Sequence, residues 1–324
     1  ITLNKLGLTL TSSGNTLSNA AGATTNSGVS DLVQVYIRDG ATLVGTVTFT
    51  GTTASATSTL TTAVTLPKDT DKTLTITADL ADIGTGLGGG IGDVIKIDPL
   101  NAEGSGQSSG TTIQSGATAG AAGIRLFNSY PTLASDSLPT TGVADGRLMR
   151  FKVTANAASS ISLFHFEFKV SSTTGVGVNT VQLFAYNDSA YASPVSGQGT
   201  SGQIGSSVDP IVSGTAFVIE PSSAALVVPA GGTRYFELKA AVTGVDSGDS
   251  ITTTLLGDSA YPTNLTTGYG VSTSTAATSS SLGNFNFVWS GNSSTTASYD
   301  SVDWSNGYGL PGFPSSGLIQ TRSN

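Results

Sequence analysis

The chain reads as an all-β protein of two tandem sandwich modules, the first without its opening strand. An internal repeat is the first observation behind that reading. The run Ile1-Thr2-Leu3-Asn4-Lys5-Leu6-Gly7-Leu8-Thr9-Leu10 lines up with Ile161-Ser162-Leu163-Phe164-His165-Phe166-Glu167-Phe168-Lys169-Val170. Val33 to Asp39 lines up with Val181 to Asn187, and Leu66-Pro67 with Val228-Pro229. Lys72 and Leu74 to Ala78 line up with Arg234 and Phe236 to Ala240. Gly92-Asp93 matches Gly248-Asp249, and Ile124 to Ser129 matches Phe285 to Ser290. Composition is the second observation: Thr, Val and Ile fall in short runs between Gly, Ser, Asn and Pro clusters, and helix formers are scarce. The third is the strand-like run Leu148 to Thr154 ahead of the second copy. No counterpart stands before Ile1, so module one is expected to lack its first strand.

The alternation predicts strands in module one, residues 1–129, at 1–11, 32–38, 44–50, 60–66, 72–80, 93–98 and 124–128. Between the last two, Asn101 to Gly123 has no periodicity and is expected to be a long loop. Residues 130–146, with their prolines and turn residues, are expected to be a linker. Module two then spans 147–290, and its clearest strand sets Phe164, Phe166, Phe168 and Val170 against Leu163, His165, Glu167 and Lys169. The aromatic set should face a core and the other set solvent or a neighbour. About seven strands per module, with frequent turn signals, argue for an immunoglobulin-like sandwich, although the Cys-Trp-Cys signature of antibody domains is missing.

Composition narrows the function classes. In 324 residues the net charge is −8, and the 13 Lys and Arg are scattered, which argues against a nucleic-acid partner. No apolar run is long enough to span a bilayer. The chain has no Cys, so disulfides and thiol chemistry are excluded. A Thr-rich, Lys-poor, acidic β protein of this kind is expected outside the cell or on its surface, after export.

The motifs offer little chemistry. Gly84-Thr85-Gly86-Leu87-Gly88-Gly89 satisfies the dinucleotide pattern, but strand alternation returns at Val94 where a helix would have to begin. His165, the single histidine, aligns with Lys5 and is expected on a solvent-facing strand side, without a Gly-x-Ser-x-Gly elbow or other catalytic partner. An enzyme is therefore not expected. Asp69 with Asp71, Asp79 with Asp82, Asp246 with Asp249 and Asp300 with Asp303 could hold calcium, yet none follows the EF-hand pattern and Asp also favours turns. No cofactor is expected. Asn187, Asn264 and Asn292 stand in glycosylation sequons.

The absent strand points to assembly. A sandwich missing one strand leaves unpaired backbone groups beside an apolar groove, which a neighbour can fill by strand addition. The core-facing Leu6, Leu8 and Leu10 would wall that groove. After Ser290, residues 291–324 form a tail with many large apolar groups; Trp304, Tyr308, Leu310 and Phe313 are expected to dock on something. Within it Leu318, Ile319 and Thr321 form the candidate donor segment. Repeated head-to-tail addition between copies gives a filament. The alternatives are a surface-layer lattice, or an adhesin that binds host or cell-surface glycans on Trp304 and Tyr308.

On the aligned repeat, Phe285 to Trp289, Trp304-Ser305-Asn306-Gly307-Tyr308 and Gly309-Leu310-Pro311-Gly312, the chain resembles the Ser/Thr-rich, immunoglobulin-like repeat modules of large bacterial cell-surface proteins. The resemblance covers both modules and the tail. It implies a structural or adhesive surface role and transfers no catalytic residue.

Overall fold

A computed structural model describes residues 1–10, 31–50, 55–83, 94–116, 123–139, 142–222, 224–260, 285–292 and 304–324. They form two compact units, one within Ile1–Phe127 and one from Asn128 onward. Both are antiparallel β-sandwiches, and among the described residues no helix is long and apolar enough to cross a membrane.

In module one, β1 (Thr2–Leu10) is the central strand of a four-stranded sheet. It lies between β4 (Ser55–Thr65) and β7 (Ile97–Ser105), with β8 (Thr112–Gly116) beyond β7. The facing sheet has the order β3 (Thr42–Val47), β2 (Leu32–Asp39), β5 (Thr75–Leu80). Alternate positions on the two sheets meet in an aliphatic core that includes Leu3, Leu8, Val35, Ile37 and Val47. A short pair, β6 (Val94–Ile95) with β9 (Ile124–Arg125), completes the module.

Module two repeats the plan with more strands. One sheet has the order β10 (Pro131–Ser135), β11 (Arg147–Ala155), β17 (Thr233–Thr243), β13 (Gly177–Tyr186), β14 (Gln203–Val208). The other centres on β12 (Ile161–Ser172), the counterpart of β1. Along one edge of β12 lie β15 (Ala216–Ile219) and β16 (Leu226–Val228), which divide the place of β4. β18 (Ser250–Leu255) and β19 (Phe287–Ser290) also pair with β12. β20 (Trp304–Asn306) then pairs β19, and β21 (Leu318–Ser323) pairs β18. Five phenylalanines, Phe151, Phe166, Phe168, Phe236 and Phe287, fill the core.

One irregularity carries the repeat into three dimensions. The ladders of β1 shift between Leu3 and Lys5, and the β12–β19 ladder shifts between the matching Leu163 and His165. The residue inside the shift leaves the two-residue alternation. That explains why Asn4 can stand where Phe164 does. Asn4 donates to Ser105 Oγ, whereas Phe164 lies edge-on to Trp304.

Several expectations change. The tract 101–123 is not one long loop: it supplies the end of β7 and all of β8. Its residues lack alternation because β1 imposes the strand from one side while β8 lies fully exposed. Ile124-Arg125 pairs β6, not β1, because β7 already occupies the edge that β18 and β19 share in module two. The 130–146 stretch, expected as a linker, contributes β10 to the sheet of module two. His165 is 1% exposed, not a surface residue, and its Nδ1 lies 2.6 Å from Glu220 Oε1. Glu220 and the Asp258 turn close over that side of β12, so both of its faces are largely buried.

Candidate assembly groove

β5 begins the site. Its Ile76 and Ala78, and Leu74 just before it, pack against the core, while Thr75, Thr77 and Asp79 are exposed. One edge of β5 is laddered to β2, with Val35 opposite Ala78 and Ile37 opposite Ile76. Among the described residues, no strand pairs its other edge. Beside that edge opens a groove of about 750 Å³. Leu6 and Leu8 of β1 form one wall and Leu74, Ile76, Ala78 and Leu80 the other. Ile95, Ile97 and Pro99 also line it, and Ile124 sits at the rim, 68% exposed. Leu80 is 44% exposed. Leu10, expected as a third wall residue, packs against the core but does not line the groove.

Module two has this seat filled. β11 pairs the corresponding edge of β17, with Met149 opposite Leu238, Phe151 opposite Phe236 and Val153 opposite Arg234. Phe151 stacks flat on Phe236, with ring centroids 4.7 Å apart, and lies tilted against Phe166 and Phe168. Met149, Phe151 and Val153 are fully buried. On β5, the counterpart of β17, Leu74, Ile76 and Ala78 remain only half-buried, and no described strand covers them.

The ladders refine the sequence match. Val35 pairs Ala78, but its counterpart Leu183 pairs Leu238, so β5 sits two residues along from the alignment of Leu74 with Phe236. A slide of two residues keeps every side chain on its own face. The inward row of β5 is therefore the same in either register.

The rim is polar. Asp69, Asp71, Asp79 and Asp82 are exposed along or beside β5. Asp79 accepts a 2.6 Å hydrogen bond from Tyr36 Oη, which raises the Tyr36 pKa above the ordinary tyrosine value. Lys72 pairs with Asp39 at 2.7 Å. Among the described residues, no group of three or more His, Asp or Glu is placed to hold a metal ion. Asp246 and Asp249 belong to a turn, in which Asp249 Oδ2 accepts from the Asp246 amide and Oδ1 from Thr173 Oγ1. Asp300 and Asp303, and the glycine run 84–89, lie outside the described residues.

The tail belongs to module two. Trp304, Leu310 and Phe313 are buried, and Tyr308 is 38% exposed. Phe313 stands edge-on to Phe287 at 5.2 Å, and Trp289 Nε1 donates to Asn306 O. Asp258 gathers this region by accepting the amides of Asn286, Phe287 and Gly307. Burial raises the Asp258 pKa, and these amides oppose the shift. Gly312 has φ +73° and approaches the Leu133 carbonyl so closely that a Cβ would collide with it.

The candidate donor segment is β21 itself. Leu318, Ile319 and Thr321 pair Leu255, Thr254 and Thr252 of β18. Arg322 pairs with Asp145, and Gln320 accepts from the Arg150 amide and donates to Asp136 O. Its inward row, Leu318, Gln320 and Arg322, also differs from the apolar row that fills the seat in module two. Of the sequon asparagines, Asn187 donates to Ser193 O and Pro194 O, and Asn292 bonds Ser160 and Ser162. Asn264 lies outside the described residues.

The β1 wall was accessible from sequence; the β5 wall was missed, although the match with Phe236 to Ala240 carried the signal. No protein-family model matches the chain, and no curated protein matches it. Among solved structures it is similar to the full-length RrgB pilus protein of Streptococcus pneumoniae, at 10% identity over 78% of this chain and 41% of that one, TM-score 0.22. The chain thus spans less than half of that pilin. It is also similar to the collagen adhesin of S. aureus, at 12% identity over 77% and 74% of the two chains, TM-score 0.17. The serine-rich repeat adhesion glycoprotein Srr1 of Streptococcus agalactiae gives 11% identity over 78% of each chain, TM-score 0.19. At such TM-scores these likenesses carry no argument about function, and the functional reading rests on the chain's own geometry.

Proposed function

We propose that the chain is a non-catalytic structural building block of an extracellular assembly, joined by β-strand addition at module one. A neighbouring subunit supplies an extended segment that enters the groove beside β5. The observation that supports this is the contrast between the two seats: β11 fills one, and no described strand fills the other. Edge amides and carbonyls without a described partner, next to an apolar groove, are groups that an added strand can pair and cover. Because the contact joins unlike surfaces, repetition propagates it as a filament or lattice. The donor is a segment other than β21, which is laddered into module two. Glycan stacking on Trp304 and Tyr308 has less support, because Tyr308 is 38% exposed but Trp304 only 4%.

A photo-crosslinking residue at position 80, in the assembly isolated from its source, tests the reading. The expected product joins Leu80 to an extended segment of a second subunit. A crosslink only to the same chain's own loops would overturn it.

A further inference from the structure

We infer that the strand accepted by module one runs antiparallel to β5 with the chemistry of β11: three large apolar residues facing in, and a cation facing out opposite Asp79. The inference rests on the strand-addition reading and names the partner's side chains. Four observations lead to it.

The first is the seat in module two. There the occupant is antiparallel, and Met149, Phe151 and Val153 supply its inward row. Transferred through the β2–β5 ladder, those three stand opposite Ala78, Ile76 and Leu74. The second is the wall. Ala78 and Ile76, which take the places of Leu238 and Phe236 in the ladders, are smaller than they are, so the groove has room for side chains at least as large as those of β11. The third is charge. Arg147 faces Lys239 in module two, and the same transfer puts its equivalent opposite Asp79. Tyr36 holds the Asp79 carboxylate in position, and the flank from 68 to 82 has four aspartates to two lysines. β11 carries Arg147, Arg150 and Lys152 and no acid. The fourth is exclusion by sequence. Between residues 11 and 30 the only large apolar residues are Leu17 and Val29, so this stretch does not carry the alternating apolar pattern of β11.

Cross-strand pairs of opposite charge and the alternating apolar row would act together. The pairing is short and partly exposed, so specificity comes mainly from the inward row, with the charge fixing register.

The test is titration of the full chain with a fluorescent peptide of sequence Arg147 to Ala155. Its controls are a scrambled peptide and one with Ser at the three inward positions. Saturable binding is expected for the first peptide only. Leu80→Asp on the already half-exposed rim should weaken it by at least about tenfold, since an ion would have to be desolvated. In a charge swap, the Arg147→Glu peptide should bind wild type several-fold more weakly and recover on an Asp79→Lys chain. Methyl spectra of Leu6, Leu74 and Ile76 should shift with bound peptide, and they report that each variant is folded. Equal binding of the scrambled peptide, or none by any peptide, overturns the inference. The crosslink from position 80 is read independently, so a failed peptide and a failed assembly contact can be told apart.

Discussion

β17 and β5 are the same strand of the repeat in different company. β17 lies between β11 and β13, and its Phe236 and Leu238 are completely buried. Among the described residues β5 has β2 on one side only, and its Ile76, with Leu74 just before the strand, stays half-open to the groove. The sequences differ to match: β17 carries aromatic and charged residues that its neighbours satisfy, whereas β5 alternates modest aliphatics with threonine. A strand that spends time uncovered tolerates small apolar groups better than a phenylalanine row, which would invite aggregation. On the strand-addition proposal, the difference is that module one is arranged around a strand supplied from outside and module two around one of its own.

The largest effect that could break this contrast is in the filled seat. Phe151→Ala should cost module two about 3–5 kcal/mol, because the ring is fully buried against three others. Leu74→Ala in the open seat should cost module one under about 1 kcal/mol. Equal losses, followed by chemical denaturation with a probe in each module, would erase the contrast.

Next is the tail. Arg322 is buried, pairs with Asp145 and donates to the Arg147 carbonyl. Arg322→Ala should therefore destabilise module two by about 1.5–3 kcal/mol and leave module one unchanged. A loss confined to module one would show that the tail serves the other unit.

A third experiment converts one seat into the other. Residues 147–160 grafted ahead of Ile1 supply the strand with its own connector to the next strand. Net of ordering entropy, the graft should stabilise module one by about 1–2 kcal/mol, read as a higher unfolding midpoint, and should abolish peptide binding. No change in either would mean that the groove does not accept this chemistry.

The smallest effect lies on the outer side of the filled seat. Backbone amides of Ser193, Ala192 and Ala190 hold the Asp188 carboxyl below its ordinary value. A folded pKa below the unfolded one means that the stabilisation is present above about pH 4 and is lost as pH falls through the folded value. The turn carries Tyr191, which lies under Arg150 at 3.7 Å. Its tyrosine resonance should therefore begin to broaden only in acid, and Asp188→Asn should remove that acid limb.

Much of this was legible in the chain, for identifiable reasons. β1 and β12, β2 and β13, and β5 and β17 were readable because alternation and the repeat agree there. β8 was not, since Thr112 to Gly116 has no buried face and so no pattern. The ladder shift at Asn4 and Phe164 showed only as a broken alternation, which one sequence cannot separate from a worn strand end. His165 was misplaced because its aligned partner Lys5 is a half-exposed residue, paired with Glu103 at 2.8 Å, whereas Glu220 closes over the histidine. Such coverage comes from loops whose course the pattern does not encode. On the groove, Leu6 and Leu8 were legible as a core row, but the edge without a described partner belongs to β5, and edges are a property of topology.

Amide hydrogen exchange on the full chain, with and without the Arg147 to Ala155 peptide, tests the central claim most directly. The account predicts that the outward-pointing amides of β5 exchange quickly while those of β17 are protected, and that the peptide slows β5 alone. Equal protection of β5 and β17 in the free chain, unchanged by peptide, would contradict it.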